Sequence, residues 1–296
     1  IINLSLLGTD WYINQMREPV NGHPGLKMTL QPQQIVQGNR DYVPVVPSLE
    51  KLANNRFELK DVMNFIASDK NQEFGIQIPF LPSQKLRISV DTVAAIKNGW
   101  VTERFRPYMT PAMEWDVPKQ YLFKNDLAMF DIIANNMERP IYFTVSMPTE
   151  QYCGLQKYFQ VEGLTYRLVP VNYQAPQGEI GLVEPDLMYN NMVKKFVFGN
   201  MNGKKHGPIY IDPETLRMTI NLRQNYVRTA DALINIGDKA RALQALDKME
   251  EEMPHPIIPM DGRLVLRQVD ALYRAGGMDK AQKKIESYWD WIGKDL

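Results

Sequence analysis

Cysteine and histidine are scarce in this chain of 296 residues. Cys153 is the only cysteine, which excludes an intrachain disulfide and a cysteine-rich metal site but fits either a reducing or an oxidising compartment. The three histidines, His23, His206 and His255, each lie beside Gly, Lys or Pro, and no two of them have the spacing of metal ligands. We therefore predict solvated loop histidines, no metal site and no cofactor.

The sequence also lacks the short motifs of common enzyme sites. The turn after the first apolar run has a single glycine, Gly8, whereas the dinucleotide-binding pattern G-x-G-x-x-G needs three. Ser5 and Ser83 lack the G-x-S-x-G elbow of a nucleophilic serine, and Cys153 has no histidine near it in sequence. No catalytic residue is predicted.

Net charge and long apolar runs are absent as well. Thirty-four basic residues balance 34 acidic ones, so no overall field attracts a phosphate backbone, and we predict no nucleic-acid partner. No segment approaches the roughly 20 apolar residues of a membrane-spanning helix. Because the chain starts at Ile1 rather than Met and shows no leader pattern, we expect it to be a piece of a longer protein.

The first two thirds of the chain alternate strand-like and helix-like patterns. Residues 1–7 form a continuous apolar run that predicts a buried parallel strand, and Thr9 or Asp10 is placed to cap a following helix that buries Trp11. Similar strand and helix patterns recur at residues 86–99, 125–145 and 155–171. The alternation predicts an α/β domain over residues 1–216, with a mainly parallel sheet, flanking helices and long irregular loops.

One of these units has clear helix boundaries in the sequence. Asp91 is a predicted N-cap, Val93 lies on the predicted packing face, and Asn98-Gly99 is a stop signal. Further along, Asn125 is placed to cap the next helix.

From about residue 217 the pattern is helical, which predicts a second region over residues 217–296. Two helices flank the Gly237-Asp238 turn with spacings that match a tetratricopeptide unit, at Tyr226, Ala230, Leu233, Ala242, Leu246 and Met249. A weaker copy surrounds Gly276-Gly277, and its Ala281 follows Ala242 by 39 residues instead of the usual ~34. The small residues favour close packing of helix pairs, with a peptide-binding groove as the alternative. This region is expected to pack on the α/β part.

Several aromatic residues lie near the end of the sequence. Trp289 and Trp291 lie two positions apart on a predicted helix and therefore point to different sides. Together with Tyr288 they are expected to cap the helical core, and contact with a partner or a glycan is the alternative for one of them.

Six segments in this order carry a family resemblance: IINLSLLGTDWYINQM, GNRDYVPV, LPSQKLRISVD, DIIANNMERPIYFTVSMP, QKYFQVEGLTYRLVPV and ALINIGDKARALQALDKMEEEMP. They resemble the C-terminal soluble region of a bacterial family of multi-pass membrane proteins. The membrane half of that family is similar to protein O-mannosyltransferases and other type C glycosyltransferases. The resemblance implies a polytopic part before this chain and a periplasmic location for the chain itself. It also implies no catalytic residue here, since the acidic catalytic loop of those enzymes has no counterpart.

Three functions are compatible with these observations. The first is a non-catalytic domain that recognises or positions an acceptor polypeptide or glycan, with candidate binding residues Thr9, Asp10, Trp11, Trp100, Trp115 and Tyr152. The second is a structural module that binds other proteins of a membrane assembly through its helical repeats. The third is an independent enzyme, which requires polar groups to converge at strand ends, around Thr9, Asp10, Asp91 and Ser146.

Overall fold

The computed structural model describes residues 1–36, 40–46, 55–68, 70–145, 147–176, 178–207, 209–255 and 257–295. The chain divides into two compact units. The first comprises Ile1–Gln160 and Thr165–Leu182, and the second comprises Val161–Leu164 and Val183–Leu296. The boundary predicted between residues 216 and 217 falls inside a helix, Pro213–Asn235.

Short helices and strands joined by long loops build the first unit, as the mixed pattern predicts. Its α-helices are α1 (Asp10–Arg17), α2 (Pro32–Ile35), α3 (Leu59–Ala67), α4 (Thr92–Lys97) and α5 (Lys124–Asn135). The strands of the chain are β1 (Tyr42–Pro44), β2 (Phe57–Glu58), β3 (Lys85–Ser89), β4 (Ala112–Asp116), β5 (Tyr121–Phe123), β6 (Tyr142–Thr144), β7 (Phe159–Val161), β8 (Thr165–Leu168) and β9 (Leu182–Val183). Segments of 3-10 helix lie at Lys70–Phe74, Glu103–Tyr108, Thr149–Tyr152 and Leu155–Tyr158.

The strands form three small sheets, ordered β1-β5, β2-β3-β4 and β6-β8-β7-β9. The predicted mainly parallel sheet is wrong. Among the pairs with a described register, β1 with β5, β3 with β4 and β6 with β8 are antiparallel, and β2 with β3 is parallel. Strand direction depends on how distant segments meet, and a short apolar run does not encode it.

The apolar run at the start of the chain is a turn and not the predicted strand. Ile2 alone forms a parallel bridge, to Phe143. The amides of Leu6 and Leu7 both donate to the Asn3 carbonyl, at 3.1 and 3.0 Å, which closes helical turns. Ile2, Leu4 and Leu7 are nevertheless buried. The run is continuously apolar because the turn is buried on several sides. A buried strand would give the same sequence pattern, so periodicity alone does not distinguish the two structures.

Helix α4 confirms the predicted cap but not the predicted packing face. The Asp91 carboxylate accepts a hydrogen bond from the Ala94 amide at 2.9 Å, and the helix ends before Gly99, whose φ is 64°. Val93, predicted to be on the packing face, is exposed, whereas Ala95 is fully buried. In a helix of 6 residues the buried face is too narrow for its direction to be read from the sequence.

Helix α5 runs through the core of the first unit. All 8 residues from Asp126 to Ile133 are buried. Among them, the carboxyl group of Asp131 accepts hydrogen bonds from the amides of Thr29 and Leu30, at 2.8 and 2.9 Å, so that this buried polar group has backbone partners.

A second buried carboxylate, Asp126, bonds the end of β5 and the segment before it. It accepts a hydrogen bond from the Phe123 amide at 3.1 Å and pairs with the Lys119 ammonium at 2.7 Å. The predicted cap at Asn125 is wrong, because Asn125 lies within α5 and the N-cap position is occupied by Phe123. The Cys153 thiol also contacts Asp126, at 3.3 Å between sulfur and oxygen. Burial, followed by the Asp126 charge, raises the pKa of this thiol well above its usual range, so Cys153 carries no thiolate at neutral pH.

The second unit is helical, as predicted for the end of the chain. It contains α6 (Pro185–Tyr189), a π-helical segment (Asn190–Lys195), α7 (Pro213–Asn235), α8 (Lys239–Glu252), α9 (Gly262–Arg274) and α10 (Met278–Asp295). Turns at Gly237 and Gly276, with φ of 84° and 88°, join α7 to α8 and α9 to α10. The six apolar positions predicted for the first helix pair are all buried. The assignment of these pairs as tetratricopeptide repeats stays a prediction.

No described helix is both long and apolar enough to cross a membrane. The longest, α7, has 23 residues, and it buries several polar side chains such as Arg223 and Asn225.

The predicted solvated state is wrong for His255, which is buried. Its ring lies edge-on to Trp291, with centroids 4.8 Å apart, and 5.2 Å from the ring of Tyr288. Tyr288 and Trp291 stack at 5.9 Å, whereas Trp289 is exposed on the other side of α10. The prediction that the two tryptophans point to different sides is confirmed.

Candidate functional site

Two of the predicted surface residues belong to the core. Trp115 is 1% exposed and Tyr152 is fully buried. The Trp115 ring packs on Phe130 with centroids 6.1 Å apart, and the Tyr152 hydroxyl donates a hydrogen bond to the Thr144 carbonyl at 2.8 Å. Their prediction as binding residues is wrong, because large aromatic side chains also contribute most to a core, and local sequence does not distinguish the two roles.

The other two predicted aromatic residues are nearer the surface. Trp11 is 57% exposed and stands edge-on to Tyr12, with centroids 5.6 Å apart. The predicted burial of Trp11 is wrong, since α1 fully buries only Ile13. Trp100 is partly buried against a small apolar cluster that includes Phe105.

The polar residues predicted to converge have separate partners. Thr9 precedes α1, but its hydroxyl donates to the Leu6 carbonyl at 2.6 Å instead of accepting from the helix. Asp10 pairs with Lys124, and Asp91 caps α4. Ser146, the fourth of these residues, lies outside the described residues. The described contacts therefore give no support to a shared catalytic centre.

Three exposed aromatic side chains form a surface that sequence reasoning missed. We call Tyr42, Tyr121 and Phe123 the aromatic ladder. Tyr42 lies opposite Phe123, and Tyr121 lies opposite Pro44, in the antiparallel pair of β1 and β5. Ring centroids are 5.3 Å apart for Tyr42 and Tyr121, 6.1 Å for Tyr42 and Phe123, and 6.0 Å for Tyr121 and Phe123. The three residues are 48%, 45% and 50% exposed, respectively.

The buried faces of the same two strands explain why the aromatic rings stay outside. Val43 and Leu122 lie between the ladder residues in sequence and are fully buried. Side chains alternate across a strand, so burying this aliphatic pair directs the neighbouring aromatic residues to the opposite face.

A charged cluster lies at one end of the aromatic ladder. The Lys124 ammonium is 2.8 Å from an Asp10 carboxylate oxygen and 3.1 Å from an Asp41 carboxylate oxygen. We call these three residues the Lys124 cluster. Asp41 and Lys124 directly precede and follow the ladder residues Tyr42 and Phe123. The Lys124 side chain is 17% exposed, whereas the two carboxylate side chains are close to half exposed.

The electrostatics of the Lys124 cluster favour binding over proton transfer. Burial alone would lower the pKa of Lys124, but its bonds to Asp10 and Asp41 raise that pKa above the ordinary value. Lys124 is thus protonated at neutral pH and cannot serve as a base. An ionised carboxylate offers about four acceptor sites, so Asp10 and Asp41 can each accept further hydrogen bonds from a ligand.

The family model for TMEM260-associated domain 2 matches residues 1–187. The chain belongs to this family. The matched range contains the whole aromatic ladder and the whole Lys124 cluster. It ends close to Leu182, the last residue of the first unit. No curated protein and no solved structure shows a significant match to the chain. Membership in this family indicates a domain associated with a membrane protein, which agrees with the membrane-protein context implied by the resemblance in the sequence.

In this TMEM260-associated domain 2, the described residues form no group of three or more His, Cys, Asp or Glu side chains that could hold a metal ion.

One sequence signal could have revealed the aromatic ladder. Tyr42-Val43-Pro44 and Tyr121-Leu122-Phe123 both alternate with the period of a strand. Each is 3 residues long, below the roughly 4 to 8 residues that a strand pattern needs to be recognised.

Proposed function

We propose that this chain is a non-catalytic, extracytoplasmic domain of a membrane glycosyltransferase-like protein, in which it recognises or positions the acceptor protein or glycan. Membership of the TMEM260-associated domain 2 family supports the link to a membrane protein. The resemblance to the soluble region of proteins related to protein O-mannosyltransferases supports the glycosyltransferase context and a periplasmic location.

The observation that carries the recognition role is the aromatic ladder beside the Lys124 cluster. Single exposed apolar residues are common on protein surfaces, whereas a contiguous group of them marks a binding surface. Tyrosine supplies a large contact area and a hydroxyl group together, and fixed carboxylates next to it supply orientation.

The test compares acceptor transfer by the full-length parent protein with transfer by a variant that lacks this segment. We expect the deletion to lower kcat/KM for the acceptor strongly. The 296-residue chain alone should bind members of a panel of glycans and of unfolded or secreted proteins. If no member of the panel binds and the deletion leaves transfer intact, the proposal is wrong.

A structural role in a membrane assembly is the second candidate, and one feature of the second unit favours it. Helix α10 exposes Met278, Ile285 and Trp289, whose spacing places them on one helical face. This role predicts that Trp289→Lys reduces co-purification of the parent with its membrane partners and leaves transfer unchanged. Under the recognition role, Trp289→Lys changes neither measurement.

A further inference from the structure

We propose that the aromatic ladder is a glycan-binding site, on which neutral sugar rings stack while Asp10 and Asp41 accept hydrogen bonds from sugar hydroxyls. This inference rests on the proposed recognition function and assigns its ligand class and its location. The ligand class is a chain of uncharged pyranose sugars.

The faces of the three aromatic rings can contact the apolar side of a sugar. A pyranose ring presents several C–H bonds on one face, and these bonds carry partial positive charge. The face of an aromatic ring carries the negative part of its quadrupole and attracts such C–H groups. Tyr42, Tyr121 and Phe123 are each about half exposed and lie within 6.1 Å of one another, so one sugar unit can contact more than one ring.

The Lys124 cluster can supply the polar contacts to a sugar. Sugar hydroxyls donate hydrogen bonds best to ionised acceptors that are already held in place. The largely buried Lys124 ammonium holds Asp10 at 2.8 Å and Asp41 at 3.1 Å, and the side chains of both aspartates are close to half exposed.

Charge favours a neutral ligand over a charged peptide. Two carboxylates face one ammonium in the cluster, so half of their charge is compensated and one net negative charge remains. An acidic peptide would be repelled by the excess carboxylate, and a basic one would have to compete with Lys124 for the same carboxylate oxygens. Hydroxyl groups carry no net charge and make hydrogen bonds without displacing Lys124.

The experiment is an NMR titration of the 296-residue chain with neutral oligosaccharides of mannose, glucose and galactose. We expect saturable shifts of the ladder resonances with at least one of them. Tyr42→Ala and Tyr121→Ala should each weaken binding about tenfold, because truncating a central aromatic anchor has an effect of this size. Asp41→Asn should weaken binding by a smaller factor.

The matched control is Tyr210→Ala, which removes a tyrosine that is 89% exposed and outside the ladder. This variant should bind the oligosaccharides as tightly as the unsubstituted chain does. Thermal unfolding of every variant excludes misfolding as the cause of lost binding. Binding should be nearly independent of salt between low and physiological ionic strength. Loss of binding with added salt, or binding of a basic peptide only, would overturn the inference in favour of a charged ligand.

The outcomes also separate this inference from the proposed function. If the chain binds an acceptor protein but no oligosaccharide shifts the ladder resonances, the glycan site is wrong and the recognition function stands. If no acceptor protein or glycan binds and deletion has no effect on transfer, the recognition function itself is wrong.

Discussion

His255 is held in one orientation by contacts on several sides of its ring. Its Nδ1 accepts a hydrogen bond from the Met260 amide at 3.0 Å, and its ring packs on Tyr288 and Trp291. Accepting at Nδ1 requires that this nitrogen carry no proton. The position of His255 between two prolines in sequence indicated a loop, which is correct, but it gave no sign that the loop is buried.

The burial of His255 predicts acid sensitivity. Desolvation, and then the charges of Lys284 and Arg223, lower the pKa of His255 below its ordinary value, against an opposing effect of Glu250. The unfolded chain therefore binds a proton on this residue at a higher pH than the folded chain does. Stability contributed by neutral His255 is complete above about pH 6.5 and is lost as the pH falls from there toward the folded-state pKa.

The measurement is urea unfolding of the 296-residue chain at pH 7.5 and at pH 5.5, monitored by tryptophan fluorescence. His255→Asn should reduce the difference between the two free energies of unfolding, because it removes the titrating group and retains an acceptor for Met260. His206→Asn, at an exposed loop position, should keep the full difference. An unchanged difference in His255→Asn would contradict the prediction.

At the scale of elements, the connection between α8 and α9 is anchored to α7 by one side chain. The guanidinium of Arg223 donates to the carbonyls of Met253, Ile258 and Pro259, at 2.6, 2.7 and 3.0 Å. Arg223 is fully buried, and burial lowers its pKa to about 10, so it remains charged at neutral pH. The connection that makes the predicted repeat longer than usual is thus a tethered part of the fold.

Replacing Arg223 should therefore destabilise the second unit strongly. Arg223→Met retains most of the apolar stem but leaves three carbonyl groups without their donor, and we expect a loss of about 3 kcal/mol in the free energy of unfolding. Arg217→Met removes an exposed arginine from the same helix and should change stability by less than about 0.5 kcal/mol. Chemical denaturation measures both values, and equal effects of the two substitutions would contradict the assigned role.

The elements also show what the sequence can predict. Helix boundaries with a local chemical signal, such as the Asp91 cap and the Gly237 turn, were predicted correctly because the atoms involved lie a few residues apart. The direction of the sheets and the location of Trp115 were predicted wrongly, since both depend on contacts between distant segments. The pair of Asp10 and Lys124, separated by 114 residues, leaves no local pattern at all.

For the molecule as a whole, the balance of charge has a direct consequence. The formal net charge is zero at pH 7, so repulsion between copies of the chain is weakest there. We expect the solubility of the 296-residue chain to be lowest near pH 7 and to rise at pH 9.

Light scattering at increasing protein concentration measures this minimum. Val197 is exposed and offers a neutral position at which to move it. Val197→Asp should shift the minimum slightly toward lower pH, and Val197→Lys should shift it slightly toward higher pH. Shifts in the same direction for both variants would show that net charge does not control solubility.

The buried Asp126 carboxylate helps to fix β5, the strand that carries the ladder residues Tyr121 and Phe123. It bonds the side chain of Lys119, two residues before β5, and the amide of Phe123 at the end of β5, so that one buried group holds the strand and the segment before it. The conformational entropy of this segment is therefore lost when the protein folds and not when a ligand arrives. The aromatic ladder is thus held in place before a ligand arrives, which lowers the ordering cost of binding.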